Sequence, residues 1–216
     1  MYWDKKGEDA ISWYPFKKNT DILIEGQENN FITILKEKKL NVGKDLDKYD
    51  YVIFYGIYEN ACGRYSSVET FADFIGSMFE KLNADGHLLL LMDNRMGLKY
   101  WAGCRDRMHG FFFEGIEGYP TTSDTVNFTK HELEMAISSH ADLDYKFYYL
   151  YPDIETTDCV YTDDYLPKPG ELTSDRGNFF EDRMKLFNET LVYDTLIKEG
   201  LFPQFANSFF VDICRK

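Results

Sequence analysis

Residues 49–92 constrain the fold more than any other part of this chain. Residues 49–55 (YDYVIFY) form an apolar run of one strand's length that stops at Gly56. Residues 66–82 then carry Val68, Phe71, Phe74, Ile75, Met78, Phe79 and Leu82, spaced by three and four, which is one face of a helix. Ser66 or Ser67 is placed to cap its start, with Glu69 in the first turn. Residues 83–86 (NADG) read as a turn and residues 87–92 (HLLLLM) as a second buried strand. Strand, helix, turn and strand in this order predict a βαβ unit with parallel strands, and so an α/β fold.

Residues 21–25 (DILIE) predict a strand halted at Gly26, residues 28–39 a short amphipathic helix, and residues 40–42 a very short strand. Thr129, with Glu132 three residues on, has the capping-box pattern for a helix over 129–139. Residues 143–151 predict a tyrosine-rich strand, 181–199 a helix ended by Gly200, and 205–214 a final strand. The chain of 216 residues fits one domain. It has a lead-in over 1–20 and two insertions, over 96–128 and over 152–180, the second read as an ordered surface excursion. The run Phe111, Phe112, Phe113 is expected in the core, and Asp158, Asp163 and Asp164 on a solvated face.

Charge and cysteine usage narrow the function classes. A net charge of −13 repels phosphate backbones and anionic lipids, so neither nucleic acid nor membrane is expected as a partner. Cys62, Cys104, Cys159 and Cys214 are widely separated and form no C-x-x-C pair. They are expected to be free thiols in a cytoplasmic protein, with no metal site. His87, His131 and His140 make no spaced ligand set.

The step over residues 81–95 (KLNADGHLLLLMDNR) resembles the approach to the fifth strand of class I S-adenosylmethionine (SAM) methyltransferases, with 49–55 in the place of the fourth. Residues 94–103 (NRMGLKYWAG) and 113–119 (FEGIEGY) are similar to a bacterial methyltransferase-like group often found with glycan-assembly genes, and residues 13–16 (WYPF) resemble that group's lead-in. The resemblance implies a Rossmann-like, mostly parallel sheet and a cofactor site at Glu25, Gly26, Tyr55, Gly56 and Glu59. The family's sheet order is 3-2-1-4-5-7-6. The 28 residues from 21 to 48 fall short of one βαβ unit of roughly 30 residues, so they hold at most one strand, one helix and a stub, where the family holds three strands and two helices. The expected order is therefore 1-4-5-7-6, which leaves strand 21–25 as an edge open to a homodimer or protein partner. The family follows strand one with E-x-G-x-G-x-G. Here only Gly26 remains, and Glu28 sets a carboxylate where the SAM carboxylate would lie. The acid that binds the SAM ribose at the end of strand two has no clear counterpart; Asp45 and Asp47 would need an unusual path.

Candidate site residues follow from the rule that open α/β sheets bind ligands beyond the carboxyl ends of their strands. Asp93 ends a strand and is a candidate catalytic residue, and Asn94 and Arg95 beside it, with Tyr100 and Trp101, are candidates for substrate binding. The aromatic, glycine-rich stretch 99–119 is placed to act as a lid or sugar-stacking wall and supplies His109 and Glu114 as further catalytic candidates. Three readings stay open: a superfamily member with lost or altered SAM binding, acting on or binding a small-molecule or glycan-type ligand; an active SAM-dependent methyltransferase with a rearranged site; and a non-catalytic binding or oligomerisation partner.

Overall fold

The computed structural model describes residues 8–25, 31–43, 45–56, 65–120, 126–174 and 183–216. In chain order the elements are α1 (Glu8–Ser12), β1 (Asp21–Glu25), α2 (Phe31–Glu37), β2 (Asn41–Val42), β3 (Tyr49–Tyr55), α3 (Val68–Glu80), β4 (Leu82–Asp93), α4 (Leu98–Trp101), α5 (Lys130–Ser138), β5 (Leu143–Tyr151), β6 (Cys159–Thr162), α6 (Glu189–Lys198), α7 (Phe202–Phe205) and β7 (Ser208–Arg215).

The predicted βαβ unit is present. β3 and β4 pair in parallel, with Val52 opposite Leu88 and Tyr55 opposite Leu91. Ser67 caps α3 in a reciprocal box with Thr70. The expected turn at 83–86 is instead an irregularity inside β4. The register steps from Tyr49–Leu82 to Tyr51–His87, so four residues loop out opposite Asp50 alone.

The sheet differs from the expected one in two ways. Among the described residues it has seven strands, in the order β2-β1-β3-β4-β7-β5-β6, rather than five. It is mixed rather than mostly parallel, because β7 runs antiparallel to both β4 and β5, and β6 antiparallel to β5. Nor is β1 the edge. β2 pairs outside it, Asp21 with Asn41 and Ile22 with Val42. The excursion over 152–180 supplies β6 and buries Asp153, Ile154 and Glu155.

Alternation along the strands divides the core between two faces. Val52, Phe54, Leu88, Leu90, Phe147, Phe209 and Val211 pack beneath α3 and α5. Ile53, Leu89, Leu91, Phe210 and Ile22 face the other way, against Ile11, Tyr14 and Leu35. The lead-in forms much of that second layer. Trp13 lies 4.8 Å from the ring of Tyr148 and 5.0 Å from Phe210. Tyr14 donates from its hydroxyl to Asp212 Oδ2 at 2.7 Å, and His87 Nδ1 lies 2.7 Å from Asp212 Oδ1.

Phe111, Phe112 and Phe113 are 57%, 52% and 38% exposed, which overturns the expected core placement. The segment turns its polar side inward instead: Asp106 and Glu114 are buried, and the guanidinium of Arg105 stacks over the Phe112 ring. Cys104, Cys159 and Cys214 are free thiols, and Cys62 lies outside the described residues. No helix among the described residues is long and apolar enough to cross a membrane.

Candidate functional site

β4 and β5 finish, and β7 begins, at one end of the sheet, where Asp93 pairs with Ser208 and Leu150 with the same Ser208. The chain then doubles back. Asn94 holds this turn: its Nδ2 donates to the carbonyls of Gln204 and Ala206, both at 2.8 Å, and its Oδ1 accepts from the Met96 N–H at 3.0 Å. Gly97 permits it, because a Cβ there would lie 2.9 Å from Asn207 Cα and 3.0 Å from Asn94 O. α4 then lays Lys99 and Tyr100 over the strand ends.

The result is a buried ionic network. Lys99 Nζ lies 2.8 Å from Asp93 Oδ1 and 2.5 Å from Asp153 Oδ2. Arg107 Nε lies 3.2 Å from Asp93 Oδ2, and its Nη1 3.0 Å from Glu155 Oε1. The hydroxyls of Tyr100 and Ser208 donate to Asp93 at 3.1 and 3.0 Å. Three carboxylates thus face two cations. Burial alone would raise the Asp93 carboxyl, but Lys99 and Arg107 outweigh it and hold the group at about 2. Burial opposes the Lys99 charge, yet Asp153 and Asp93 carry its ammonium above the ordinary lysine range.

A second polar cluster lies under residues 113–119. Asp106 accepts from the backbone N–H groups of Met108 and His109 at 2.9 and 3.0 Å, and from the Tyr119 hydroxyl at 3.2 Å. Burial raises the Asp106 carboxyl despite these bonds. Tyr119 in turn accepts from the Asn127 N–H at 3.0 Å. Arg95 fastens the cover: it forms a two-pronged pair with Glu132 at 3.0 and 2.6 Å and donates to Gly115 O at 2.8 Å.

The expected site residues therefore separate. Asp93 and Tyr100 meet in the ionic network. Asn94 serves the turn, and Arg95 joins α5 to the cover. Glu114 is buried and belongs to the cover itself, its backbone carbonyl accepting from the Tyr119 N–H at 2.8 Å. His109 sets its ring edge against Tyr119 at 5.5 Å, and Trp101 stays 37% exposed beside Phe205. Tyr55 is buried in the second layer, and the Gly56 N–H donates to Leu91 O at 2.8 Å. Glu25 is engaged by Lys81 in an ion pair. Gly26 and Glu59, like Glu28, lie outside the described residues. Asp153, Glu155 and Asn127 are not among the candidates read from the sequence, and Lys99 and Arg107 fall in the 99–119 stretch without a role of their own. Asp153 carried a usable signal, since it follows a strand's carboxyl end by two residues. Among the described residues no three His, Cys, Asp or Glu side chains converge to hold a metal ion.

Comparison with family models and with curated proteins finds no match. Among solved structures the chain is similar to a SAM-dependent methyltransferase from Archaeoglobus fulgidus, at 14% identity and a TM-score of 0.45, over 93% of this chain and 88% of that one. It is similar to a SAM-dependent methyltransferase from Thermotoga maritima, at 11% identity and 0.43, over 100% and 88%. It is also similar to the plantazolicin methyltransferase BpumL in complex with SAH, at 13% identity and 0.41, over 100% and 83%. These TM-scores all fall below 0.5.

Proposed function

We propose that this chain is a member of the SAM-methyltransferase superfamily in which SAM binding has been lost or altered, serving a bacterial small-molecule or glycan pathway. Membership is supported by the motifs over 81–103 and 113–119 and by the strands they adjoin.

The observation that carries the loss is where β2 ends. Its last residue, Val42, pairs with Ile22, whereas β1 continues through Leu23 and Ile24 to Glu25. At about 3.3 Å per residue, β2 stops roughly 10 Å short of the ligand end. Gly43, with φ +83°, follows β2, and Asp45 and Asp47 are exposed. An acid that grips the SAM ribose must stand level with the end of strand one, and neither aspartate follows a strand that reaches it. Glu25, the acid that opens the family's glycine motif, is occupied by Lys81. These residues do not fit SAM in the family's manner, so no methyl-transfer step is assigned to them.

Calorimetric titration with SAM and with its demethylated product tests the reading. Absence of binding at millimolar ligand is the expected result. A micromolar Kd would return the chain to the active-methyltransferase reading.

A further inference from the structure

The side chain of Asn127 is an anomaly at this end of the sheet. The residue is 1% exposed, and neither its Oδ1 nor its Nδ2 has a hydrogen-bond partner. Native interiors rarely retain such a group unless water or a ligand completes it. Asn127 is held firmly in place. Its own N–H donates to Tyr119, and its neighbour Phe128 bridges to Asn94 and sets its ring 4.8 Å from that of Phe71. Phe128 fills the core between β4 and α3.

We infer that Asn127 is the recognition residue of a ligand pocket beyond the carboxyl end of β4, and that the ligand presents a hydrogen-bond donor and acceptor side by side. A carboxamide is a planar donor beside an acceptor, and its complement is the same arrangement reversed. Two kinds of molecule that carry that complement are a primary carboxamide and an aminopurine, whose exocyclic amine flanks a ring nitrogen. A carboxylate ligand is disfavoured, because Asp93, Asp106, Asp153 and Glu114 are all buried at this end. The polar groups nearest in sequence and bonding, Tyr119 and Asp106, are already tied to one another, which leaves the Asn127 amide as the open contact. Entry requires residues 113–119 to lift. Their attachments include the Arg95–Gly115, Tyr119–Asp106 and Asn127–Tyr119 bonds, and Phe113 and Tyr119 at the two ends hold left-handed φ values of 63° and 60°. The inference does not depend on whether SAM binds.

The test uses the full chain and two matched pairs of probes. Nicotinamide and nicotinic acid differ at the amide, and adenosine and purine riboside differ at the exocyclic amine. The expected result is saturable binding of nicotinamide or adenosine, with the matched partner at least about tenfold weaker. Whichever pair responds identifies the source of the group. Asn127→Leu should abolish that binding and melt no lower than the parent, because it removes a buried polar group that lacks a partner. If leucine overfills the site and the variant fails to fold, Asn127→Ala takes its place and should lose binding likewise. Three results would overturn the inference: neither probe binding up to about 10 mM, binding that survives Asn127→Leu or Asn127→Ala, or equal binding within both matched pairs. The first of these would leave a buried water as the partner of the amide. A positive SAM titration whose affinity is unchanged in Asn127→Leu would overturn the proposed loss of SAM binding without touching this inference.

Discussion

The ammonium of Lys99, itself wholly buried, stands between the carboxylates of Asp93 and Asp153, at 2.8 and 2.5 Å. It ties the end of β4 to the segment that follows β5, two stretches 60 residues apart in sequence. Removing one partner of a buried ion pair strands the others without compensation. Lys99→Met should therefore lower unfolding stability by about 3–5 kcal/mol. In urea titration the midpoint should fall with the slope unchanged; a midpoint within error of the parent would show the network to be dispensable.

Acid should dismantle the same network over a defined range. The folded pKa of Asp93, about 2, lies below the ordinary aspartate value of about 3.9. A depressed carboxyl contributes stability that is present above the unfolded pKa and lost as pH falls through the folded one. The contribution of Asp93, on the order of 2 kcal/mol, should be intact near pH 5 and wane between about pH 4 and pH 2. Asp106 acts with the opposite sign, since burial raises its carboxyl and ionisation there costs stability at neutral pH. Unfolding of Asp93→Asn across this range should show a shallower fall than the parent. Parallel curves would contradict the assignment.

Gly97 tests the close approach that starts α4. An added methyl would meet Asn207 Cα at 2.9 Å and Asn94 O at 3.0 Å, both immovable backbone. Gly97→Ala should destabilise by about 2 kcal/mol or more through overpacking. Gly43→Ala, which meets nothing within 4 Å, should cost only the left-handed backbone penalty of about 1 kcal/mol. Thermal melts of the two variants should separate clearly.

Glu132 has two tasks. Its carboxylate closes the capping box on the Thr129 N–H at 2.7 Å and holds Arg95 in two bonds. Glu132→Ala should cost about 2 kcal/mol, from the lost cap and the lost partly buried pair together. Glu132→Gln keeps the cap and should recover part of that. Because Arg95 also holds Gly115, amide hydrogen exchange over residues 113–119 should quicken in the alanine variant and less so in the glutamine variant.

The lead-in offers a separate check. Tyr14→Phe deletes the bond to Asp212 and keeps the ring against Phe210, at 5.1 Å. A loss of about 1 kcal/mol is expected. Tyr14→Ala, which also removes the buried ring, should lose about 3–5 kcal/mol. Equal losses for the two would mean that the ring contributes nothing to the second layer.

Some of this architecture was legible because local rules speak directly. β3 and β5 fall on their predicted residues, 49–55 and 143–151, since apolar runs bounded by turns leave little choice. The capping box at Thr129 and Glu132 is a three-residue signal, and it is present. The helix expected over 181–199 begins only at Glu189, where Asn188 caps it. The phenylalanine run was misplaced because hydrophobicity alone does not say which way a segment faces. Inward burial went to Asp106 and Tyr119, whose hydrogen bonds to each other and to the backbone offset their desolvation.

The sequence by itself determined the α/β class, the parallel pairing of β3 with β4, and the shortness of the stretch before them, because periodicity and length are local properties. Only the tertiary structure decided that β2 caps β1 and stops opposite Ile22, that β7 runs antiparallel, and that Lys99 finds Asp153. Those are pairings between distant segments. They are selected by which faces and charges can be buried together, and no window of sequence contains both partners.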